Sequence, residues 1–268
     1  MIATIDWRGR GLTVHLDQGV DLSVTLNPDG PQPSFFAGAP ARAEPLKAPG
    51  YVGSVAGGGS CNADVLSYVP HCHGTHTECI GHLQARPAML LDTIDQQPCL
   101  AQLVTLQPVS PGATQEYYVE ELPAEEQLMT RADLESQIGT DVPSADALVV
   151  RTAPNPIQKR STDYAAAPPY PVFSQQAMQW LSGGHWKHLL IDLPSLDRAH
   201  DGGRLVNHRL WWRIDSQEPN PAHKRSVTEM IYVPDELADG IYWLELQLQP
   251  LASDAVSSRP ILYPADVS

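Results

Sequence analysis

The stretch HCHGTHTECIGH, residues 71–82, holds four histidines, two cysteines and one glutamate within twelve positions. A site for a divalent metal needs imidazole, carboxylate or thiolate donors that converge, and this segment supplies all three kinds. Gly74 permits a sharp turn of the backbone, so side chains two and four positions apart can meet. Because the whole chain has ten histidines in 268 residues, this concentration favours a metal site over separate histidines of the surface or core.

The candidate metal ligands are Cys72, His76, Glu78 and His82. If residues 78–82 are helical, Glu78 and His82 lie on one face of that helix. His82 has a second interpretation, since a catalytic site is also served by an imidazole that accepts a proton without binding the metal. A purely structural zinc site is disfavoured, because the donor set is mixed and the chain lacks the C-x-x-C pairs of such sites.

The composition excludes several classes of function. Lys and Arg number 17 against 31 Asp and Glu, a net charge of −14, and no basic run occurs, which disfavours nucleic acid or an anionic membrane as partner. The first residues, MIATIDWRGRGLTVHLD, lack the apolar core of a signal peptide, and no stretch approaches the about 18 apolar residues of a membrane span. These features predict a cytoplasmic globular protein whose cysteines are thiols.

Apolar and β-branched runs alternate with proline-rich and polar segments, which predicts one mixed α/β domain over residues 1–268. Strands are predicted at 12–16, 21–26, 102–106, 147–153, 188–194 and 241–250. Helices are predicted at 131–139 and 174–184, with Thr130 and Ser174 as N-caps, and surface loops at 154–171 and 213–225. The chain has no G-x-S-x-G elbow, P-loop or G-x-G-x-x-G spacing, which disfavours a serine hydrolase of the α/β type and a nucleotide site.

The segment Gly74-Thr75-His76, with Glu78 and His82 after it, resembles the signature H-x-G-T-H-x-D-x-x-x-H of the metal-dependent cyclase-like hydrolases. That family includes bacterial kynurenine formamidase and isatin hydrolase. Further similar segments follow in the family's order along nearly the whole chain: GVDLSVTL (19–26), DALVVRTA (146–153), YPVFSQQAMQWL (170–181), LLIDLPSLD (189–197), Asn207-His208, and Glu229 in SVTEMIYVP.

The resemblance implies a swivelling β/β/α-type domain with a mixed sheet flanked by helices. It implies hydrolysis of an amide, N-formyl or lactam bond of a small molecule, with one or two divalent ions, most readily Zn²⁺ with Mn²⁺ as the alternative. Cys72, His76 and Glu78 would hold metal, and His82 would be the general base or a ligand of a second ion. His208 and Glu229 would orient the substrate or complete the site. A homodimer or homotetramer is also implied.

Two departures from the signature carry chemical weight. Cys72 stands where the family has its first histidine, and a thiolate is a softer ligand that favours zinc. His71 and His73 flank Cys72 and could replace it. Glu78 stands where the family has aspartate, which lengthens the carboxylate arm by one methylene. These departures motivate an alternative, a degenerate member that binds a small molecule or a metal without turnover.

Single aromatic residues are candidates for the wall of an aryl-binding pocket, namely Trp7, Tyr51 and Tyr68. Residues of this kind more often pack in a core or on a surface. The glycine-rich segment 55–62 is similarly open to two interpretations, a flexible loop or a loop that covers the substrate.

Overall fold

The computed structural model of the chain describes residues 1–36, 39–95, 98–139, 144–216 and 220–267. The strands are β1 Ile2–Trp7, β2 Arg10–His15, β3 Val20–Asp21, β4 Arg42–Pro45, β5 Lys47–Ala48, β6 Tyr51–Val52, β7 Asp64–Ser67, β8 His76–Cys79, β9 Cys99–Leu106, β10 Leu128–Met129, β11 Ala147–Thr152, β12 Val172–Phe173, β13 His188–Ile191, β14 Ser226–Glu229, β15 Gly240–Leu248 and β16 Ala255–Val267. The α-helices are α1 Leu90–Thr93, α2 Arg131–Ile138, α3 Gln175–Gly183 and α4 Val206–Trp212, and 3-10 helices lie at Pro70–Cys72, Ile80–Leu83, Pro111–Ala113, Ile157–Ser161 and Pro221–Lys224.

Seven strands close into a barrel in the order β16-β15-β9-β11-β13-β14-β8, because β8 pairs with both β14 and β16. The neighbours from β9 to β14 are parallel, and the remaining pairs of the ring are antiparallel. β1, β2 and β3 extend the sheet from β16. This closed mixed sheet confirms the predicted mixed α/β fold.

The parallel strands β9, β11 and β13 are largely apolar on both faces, as strands covered on both sides must be. Along β9, Leu103 packs in the cluster inside the barrel and Val104 packs outside. The outer cluster also holds Leu134 of α2 and Met178 of α3. The helices therefore cover the outer face of the parallel strands.

Both predicted helices and their N-caps are present. The Thr130 hydroxyl accepts a hydrogen bond from the Asp133 amide at 3.1 Å, and the Ser174 hydroxyl accepts one from the Ala177 amide at 2.9 Å. These bonds satisfy backbone donors that the first helical turn leaves unpaired. The predicted N-caps therefore located the starts of both helices correctly.

Three expectations from the sequence differ from the structure. The strand predicted at 21–26 ends at Asp21, because the chain then turns so that the Val24 amide bonds the Thr75 hydroxyl. Residues 78–82 are not one helix: Glu78 lies in β8, and the 3-10 helix begins only at Ile80. Short 3-10 helices interrupt both predicted loops, 154–171 and 213–225, of which residues 217–219 lie outside the described ranges.

None of the helices in the described ranges combines the length and the apolar character that crossing a membrane would require.

Candidate metal centre

β8 carries the central part of the histidine segment and lies between two partner strands. Its residues His76 and Glu78 are two positions apart, so their side chains project from the same face. Glu229 of β14 is paired directly with His76, and Val227 is paired with Glu78. Because Val227 belongs to the outer cluster, these three polar side chains lie on the outer face of the barrel.

α4 brings a further histidine over this face. The helix begins after Leu205, which has a left-handed backbone conformation with φ of 49°. The Asp197 carboxylate then accepts hydrogen bonds from the Asn207 amide at 2.7 Å and from His208 Nδ1 at 2.7 Å. Asp197 thus both caps the helix and orients the imidazole, and His208 Nε2 lies 3.0 Å from Glu78 Oε1 and 3.3 Å from Glu229 Oε1.

His71 approaches from the 3-10 helix that precedes β8. Its Nδ1 lies 2.8 Å from Glu78 Oε2, and its Nε2 lies 2.9 Å from Asp254 Oδ2. His82 reaches the same region from the 3-10 helix after β8, with Nδ1 4.0 Å from Glu78 Oε2 and 3.7 Å from Asp254 Oδ2. Asp254 comes from the segment immediately before β16.

The donor atoms of this cluster fit a divalent metal. Among the described residues, His76 Nε2, Glu78 Oε1 and His208 Nε2 are buried atoms that make no hydrogen bond of good geometry, although oppositely charged groups lie 3.0–3.4 Å away. Such atoms are costly unless another group satisfies them. Donors that share an ion at about 2.0–2.2 Å lie about 3 Å apart, and the separations here are of that size. Three sets of side chains have their possible ligand atoms within 4.8 Å of one another. They are His71 with His76 and Glu78, His71 with His82 and Asp254, and Glu78 with His208 and Glu229.

The carboxylate of Glu78 faces two of these sets at once. Its Oε2 faces His71, and its Oε1 faces His208. A carboxylate with its two oxygens toward separate donor sets can serve one ion or bridge two. The longer arm of glutamate, relative to the aspartate of the signature, still reaches the cluster.

Charges within the cluster stabilise one another against burial. Burial opposes the charged form of His208, yet nearby carboxylates, Glu78 foremost, raise its pKa well above the ordinary range. Burial likewise opposes charge on Glu78, yet His82 and His208 lower the pKa of its carboxyl well below the ordinary range. The buried centre therefore holds ionised carboxylates, which suit a cation.

At the edge of the cluster the same balance applies to His71. Burial would lower its pKa, but the carboxylates of Asp254 and Glu78 raise it to about 10. Burial and the charge of Glu229 raise the pKa of the Cys72 thiol, which favours its neutral form.

A cavity of about 280 Å³ opens beside the cluster. It is lined by Phe35, Phe36, His71, Cys72, Glu78, His82, Ser195, Arg198, Asp201, Gly203, Leu205, His208 and Glu229. The Phe35 ring contacts both the Phe36 ring at 5.6 Å and the Tyr170 ring at 6.1 Å between centroids. The guanidinium of Arg198 is already paired with Glu126 and Glu120. The lining of the cavity is therefore aromatic at Phe35 and Phe36, and the metal donors His71, Glu78, His82, His208 and Glu229 line the same cavity.

Most predicted site residues come together here. His76, Glu78, His208 and Glu229 meet in the buried centre, and His82 lies at the cavity side, where its geometry is compatible with either of its predicted roles. Cys72 lines the cavity, but its sulfur is in none of the three donor sets. His73 is buried with both ring nitrogens at hydrogen-bond distance from backbone atoms of Val69 and Ala39, so it lies outside the cluster.

Sequence reasoning missed Asp254, Phe35 and Phe36, and it did not assign to Asp197 the role of orienting an imidazole. Asp254 and Asp197 orient imidazoles, and Phe35 and Phe36 line the cavity where Trp7, Tyr51 and Tyr68 were candidates. Asp197 lies within the segment LLIDLPSLD, whose resemblance could have marked it. Asp254 is 183 positions from His71 and has no motif of its own, so only the strand pairing reveals it.

The glycine-rich segment 55–62 lies between β6 and β7 and does not line this cavity.

Comparison with known proteins identifies a family. The sequence model of the family described as "Putative cyclase" matches residues 20–198. No protein among the curated ones matches the chain significantly.

Several solved structures share the fold. A predicted metal-dependent hydrolase from Bacillus stearothermophilus superimposes with a TM-score of 0.59 at 13% identity, covering 92% of this chain and 98% of that one. An isatin hydrolase bound to the product analogue thioisatinate gives 0.59 at 16% identity, covering 92% of each chain. Isatin hydrolase A from Labrenzia aggregata, bound to benzyl benzoate, gives 0.57 at 18% identity, covering 92% and 93%.

Proposed function

The chain belongs to the Putative cyclase family, and from this membership we propose that it is a metal-dependent hydrolase of C–N bonds in a small aromatic molecule. The bond is an amide, N-formyl or lactam bond. The observation that carries the proposal is the convergence of three buried donor atoms without well-aligned hydrogen bonds, His76 Nε2, Glu78 Oε1 and His208 Nε2, beside a cavity that can admit a substrate. The names of the isatin hydrolases with the same fold support a cyclic amide or a related aryl amide as substrate.

His76, Glu78, His208 and Glu229 would hold the divalent metal, with one or two ions. An imidazole-rich set with carboxylates suits Zn²⁺, and Mn²⁺ is the competing assignment because carboxylates also suit it. When bound, such an ion lowers the pKa of a water ligand and polarises a carbonyl oxygen.

The residues of the chain orient the remaining chemistry. The Asp197 carboxylate accepts a hydrogen bond from His208 Nδ1 at 2.7 Å, and this bond directs Nε2 of the ring toward the centre. His82 borders both the donors and the cavity, so it can accept a proton from the attacking water and return it to the leaving nitrogen. The base receives a proton when water attacks the carbonyl carbon and donates it to the nitrogen when the C–N bond breaks, so this proton needs no other carrier.

The cavity sets the size and type of substrate. At about 280 Å³ it lies near the lower end of ligand pockets, which span about 300–1,000 Å³. Phe35, Phe36 and Leu205 supply apolar contact, and no free cation among its described lining residues is available for an anionic group, since Arg198 is paired. This lining supports a compact neutral aryl compound.

Metal analysis combined with a substrate screen tests the proposal. The purified chain is expected to contain divalent metal by mass spectrometry and to hydrolyse an N-formyl arylamine such as N-formylkynurenine, or isatin. Chelation should abolish the hydrolysis, and returned Zn²⁺ or Mn²⁺ should restore it. Stoichiometric metal without hydrolysis of any amide, formamide or lactam in the screen would favour the alternative of a binding protein.

The variant His76→Ala is expected to lose most of the metal and most of the activity, because its unpaired Nε2 lies in the buried centre. His185→Ala is the matched control, since it makes the same change at an exposed histidine stacked on Trp186. Full metal content in His76→Ala would show that the ion binds elsewhere.

A further inference from the structure

The ring of His71 lies between two carboxylates. Its Nδ1 is 2.8 Å from Glu78 Oε2, and its Nε2 is 2.9 Å from Asp254 Oδ2. The contact with Asp254 has the geometry of a hydrogen bond. A carboxylate accepts, so Nε2 donates to Asp254; metal binding would then displace the proton that Nδ1 carries beside Glu78 and expose the Nδ1 lone pair.

That lone pair is directed at the metal donors. His71 forms a donor set with His76 and Glu78, whose ligand atoms lie within 4.8 Å of one another. The adjacent Cys72 lines the cavity but joins none of the donor sets found among the described residues. The two side chains follow one another in a 3-10 helix that ends at Cys72, so they project in different directions, and the histidine is the one that faces Glu78.

Asp254 is held rigidly in its place. Its backbone carbonyl accepts a hydrogen bond from the Cys79 amide at 3.1 Å, and the next residue, Ala255, is paired with Glu78. The Leu90 amide bonds the carbonyl of Ser253 at 2.8 Å. The carboxylate is therefore fixed beside His71 by the start of β16.

We propose that His71 is the metal ligand that takes the place of the signature's first histidine, and that Asp254 is the positioning residue that fixes its ring. A carboxylate on the far nitrogen of a ligating imidazole sets the tautomer and the orientation of the ring. The ligand is thus displaced by one position along the chain, and a residue near the C-terminal strand compensates for Cys72. This inference rests on the metal centre of the proposed function and does not require that the substrate be an amide.

The ligand assignment is tested with Co²⁺, which reports thiolate ligands by a charge-transfer absorption in the near ultraviolet. The chelated protein is titrated with Co²⁺, and binding is also measured by competition with Zn²⁺. The wild type and Cys72→Ser should bind with the same affinity and show no thiolate band, whereas His71→Ala should bind far more weakly. A thiolate band that disappears in Cys72→Ser, with His71→Ala unchanged, would overturn the assignment.

The positioning role is tested at Asp254 with graded variants. Asp254→Ala should weaken metal binding by about 10–100-fold, the usual effect of losing such a partner. Asp254→Asn should recover part of the affinity, because its amide oxygen can still accept from Nε2. The thermal unfolding of the chelated variants, compared with chelated wild type, separates a loss of affinity from a loss of folding.

Two other outcomes are decisive. If Asp254→Ala lowers the number of ions bound and leaves the affinity of the remaining ion unchanged, Asp254 is itself a ligand with His71 and His82, and the positioning role is wrong. If the wild type binds neither Co²⁺ nor Zn²⁺, the metal centre of the proposed function fails, and the inference fails with it. Metal binding without hydrolysis contradicts only the activity.

Discussion

At the scale of single residues, the imidazoles of the centre share one arrangement: one ring nitrogen is bound to an acceptor, and the other faces the site. His76 Nδ1 donates to the Gly74 carbonyl at 3.1 Å, and His208 Nδ1 donates to Asp197 at 2.7 Å. Because carbonyls and carboxylates only accept, these bonds place the proton on Nδ1. The Nε2 atoms then face the carboxylates of the centre, and a metal ion that binds there would displace any proton they carry.

His82 differs, because neither of its ring nitrogens has a close partner of this kind. Its Nδ1 lies 3.7 Å from Asp254 Oδ2 and 4.0 Å from Glu78 Oε2. If His82 is the general base, His82→Ala should keep the metal and lose about 10²–10⁴-fold in turnover, the usual contribution of a positioned proton acceptor. Metal content and single-turnover rate are measured on the same preparation.

A proportional loss of metal and activity in His82→Ala would instead make His82 a ligand of a second ion. The exposed His185→Ala again serves as the control for a histidine-to-alanine change. Intact metal with nearly native turnover would exclude both roles and leave His82 as a structural residue.

The sequence predicted those site residues that lie close together or match a family segment. His76, Glu78 and His82 lie within seven positions, and the alternation of side chains along β8 with the 3-10 helix after it brings them together. Asp254 could not be predicted, because its approach depends on β16 pairing with β8. The choice between His71 and Cys72 depends on side-chain direction within one turn, which spacing alone does not define.

At the scale of secondary-structure elements, the helix caps gave reliable signals, whereas the longest strand, β16, was not predicted. β16 runs from Ala255 to Val267 yet contains Pro260 and Pro264, residues that argue against a strand. The structure tolerates them because the strand changes partner there. One side pairs with β8 up to Ser257, with β3 at 261–262 and with β2 from Ala265 onward.

Each proline of β16 therefore falls between two pairings on that side, where no ladder hydrogen bond needs its missing N–H. A sequence pattern cannot show such changes of partner, so this strand was not predicted. Asp254 lies immediately before this strand. Because the strand was not predicted, the approach of Asp254 to the site was not predicted either.

The cap of α2 gives a prediction at this scale. Thr130→Val keeps the shape of the side chain but removes the hydroxyl that accepts from the Asp133 amide. The free energy of unfolding should fall by about 1 kcal/mol, the usual value of an N-cap. Thr130→Ser keeps the hydroxyl and should retain most of that stability in denaturant unfolding at equal metal content. Equal stability of the valine variant and wild type would show that the cap contributes nothing.

At the scale of the whole molecule, the strands β4 to β7 and the pair β10–β12 lie outside the sheet of the barrel. The strands β4 to β7 form two separate two-stranded sheets, and such hairpins are marginal unless they pack against something. Leu46, Val65 and Leu66 on them are exposed to 43%, 49% and 60%. This apolar arm supports the proposal, implied first by the resemblance, that the chain forms a homodimer or homotetramer.

The oligomer is tested by light scattering at micromolar concentration. The wild type is expected at a multiple of the chain mass of 29.2 kDa, and Leu66→Glu should lower the mass because a charge cannot be buried in an apolar contact. Ser67→Glu, at the end of the same strand, is the control for added charge. A wild-type mass near that of one chain would contradict the proposal.

His188 couples the folding of the whole barrel to pH. It lies at the start of β13, 3% exposed, with Nδ1 2.8 Å from the Ser226 hydroxyl of the neighbouring strand. Burial lowers the pKa of His188 from 6.5 to about 4, because the charged ring would lose its hydration. Between those two values the unfolded chain binds a proton at this position and the folded chain does not.

Stability should therefore fall as the pH is lowered from 6.5 to about 4, since protons stabilise the state that binds more of them. A shift of this size contributes up to about 3 kcal/mol to the fall. His188→Asn keeps a polar group near the Nδ1 position but cannot be charged, so its unfolding free energy should fall less over the same range by that amount. Both proteins are measured by denaturant unfolding in chelator, where the other titrating groups are common to the two and cancel. Parallel pH profiles for wild type and His188→Asn would show that His188 is not held neutral by the fold.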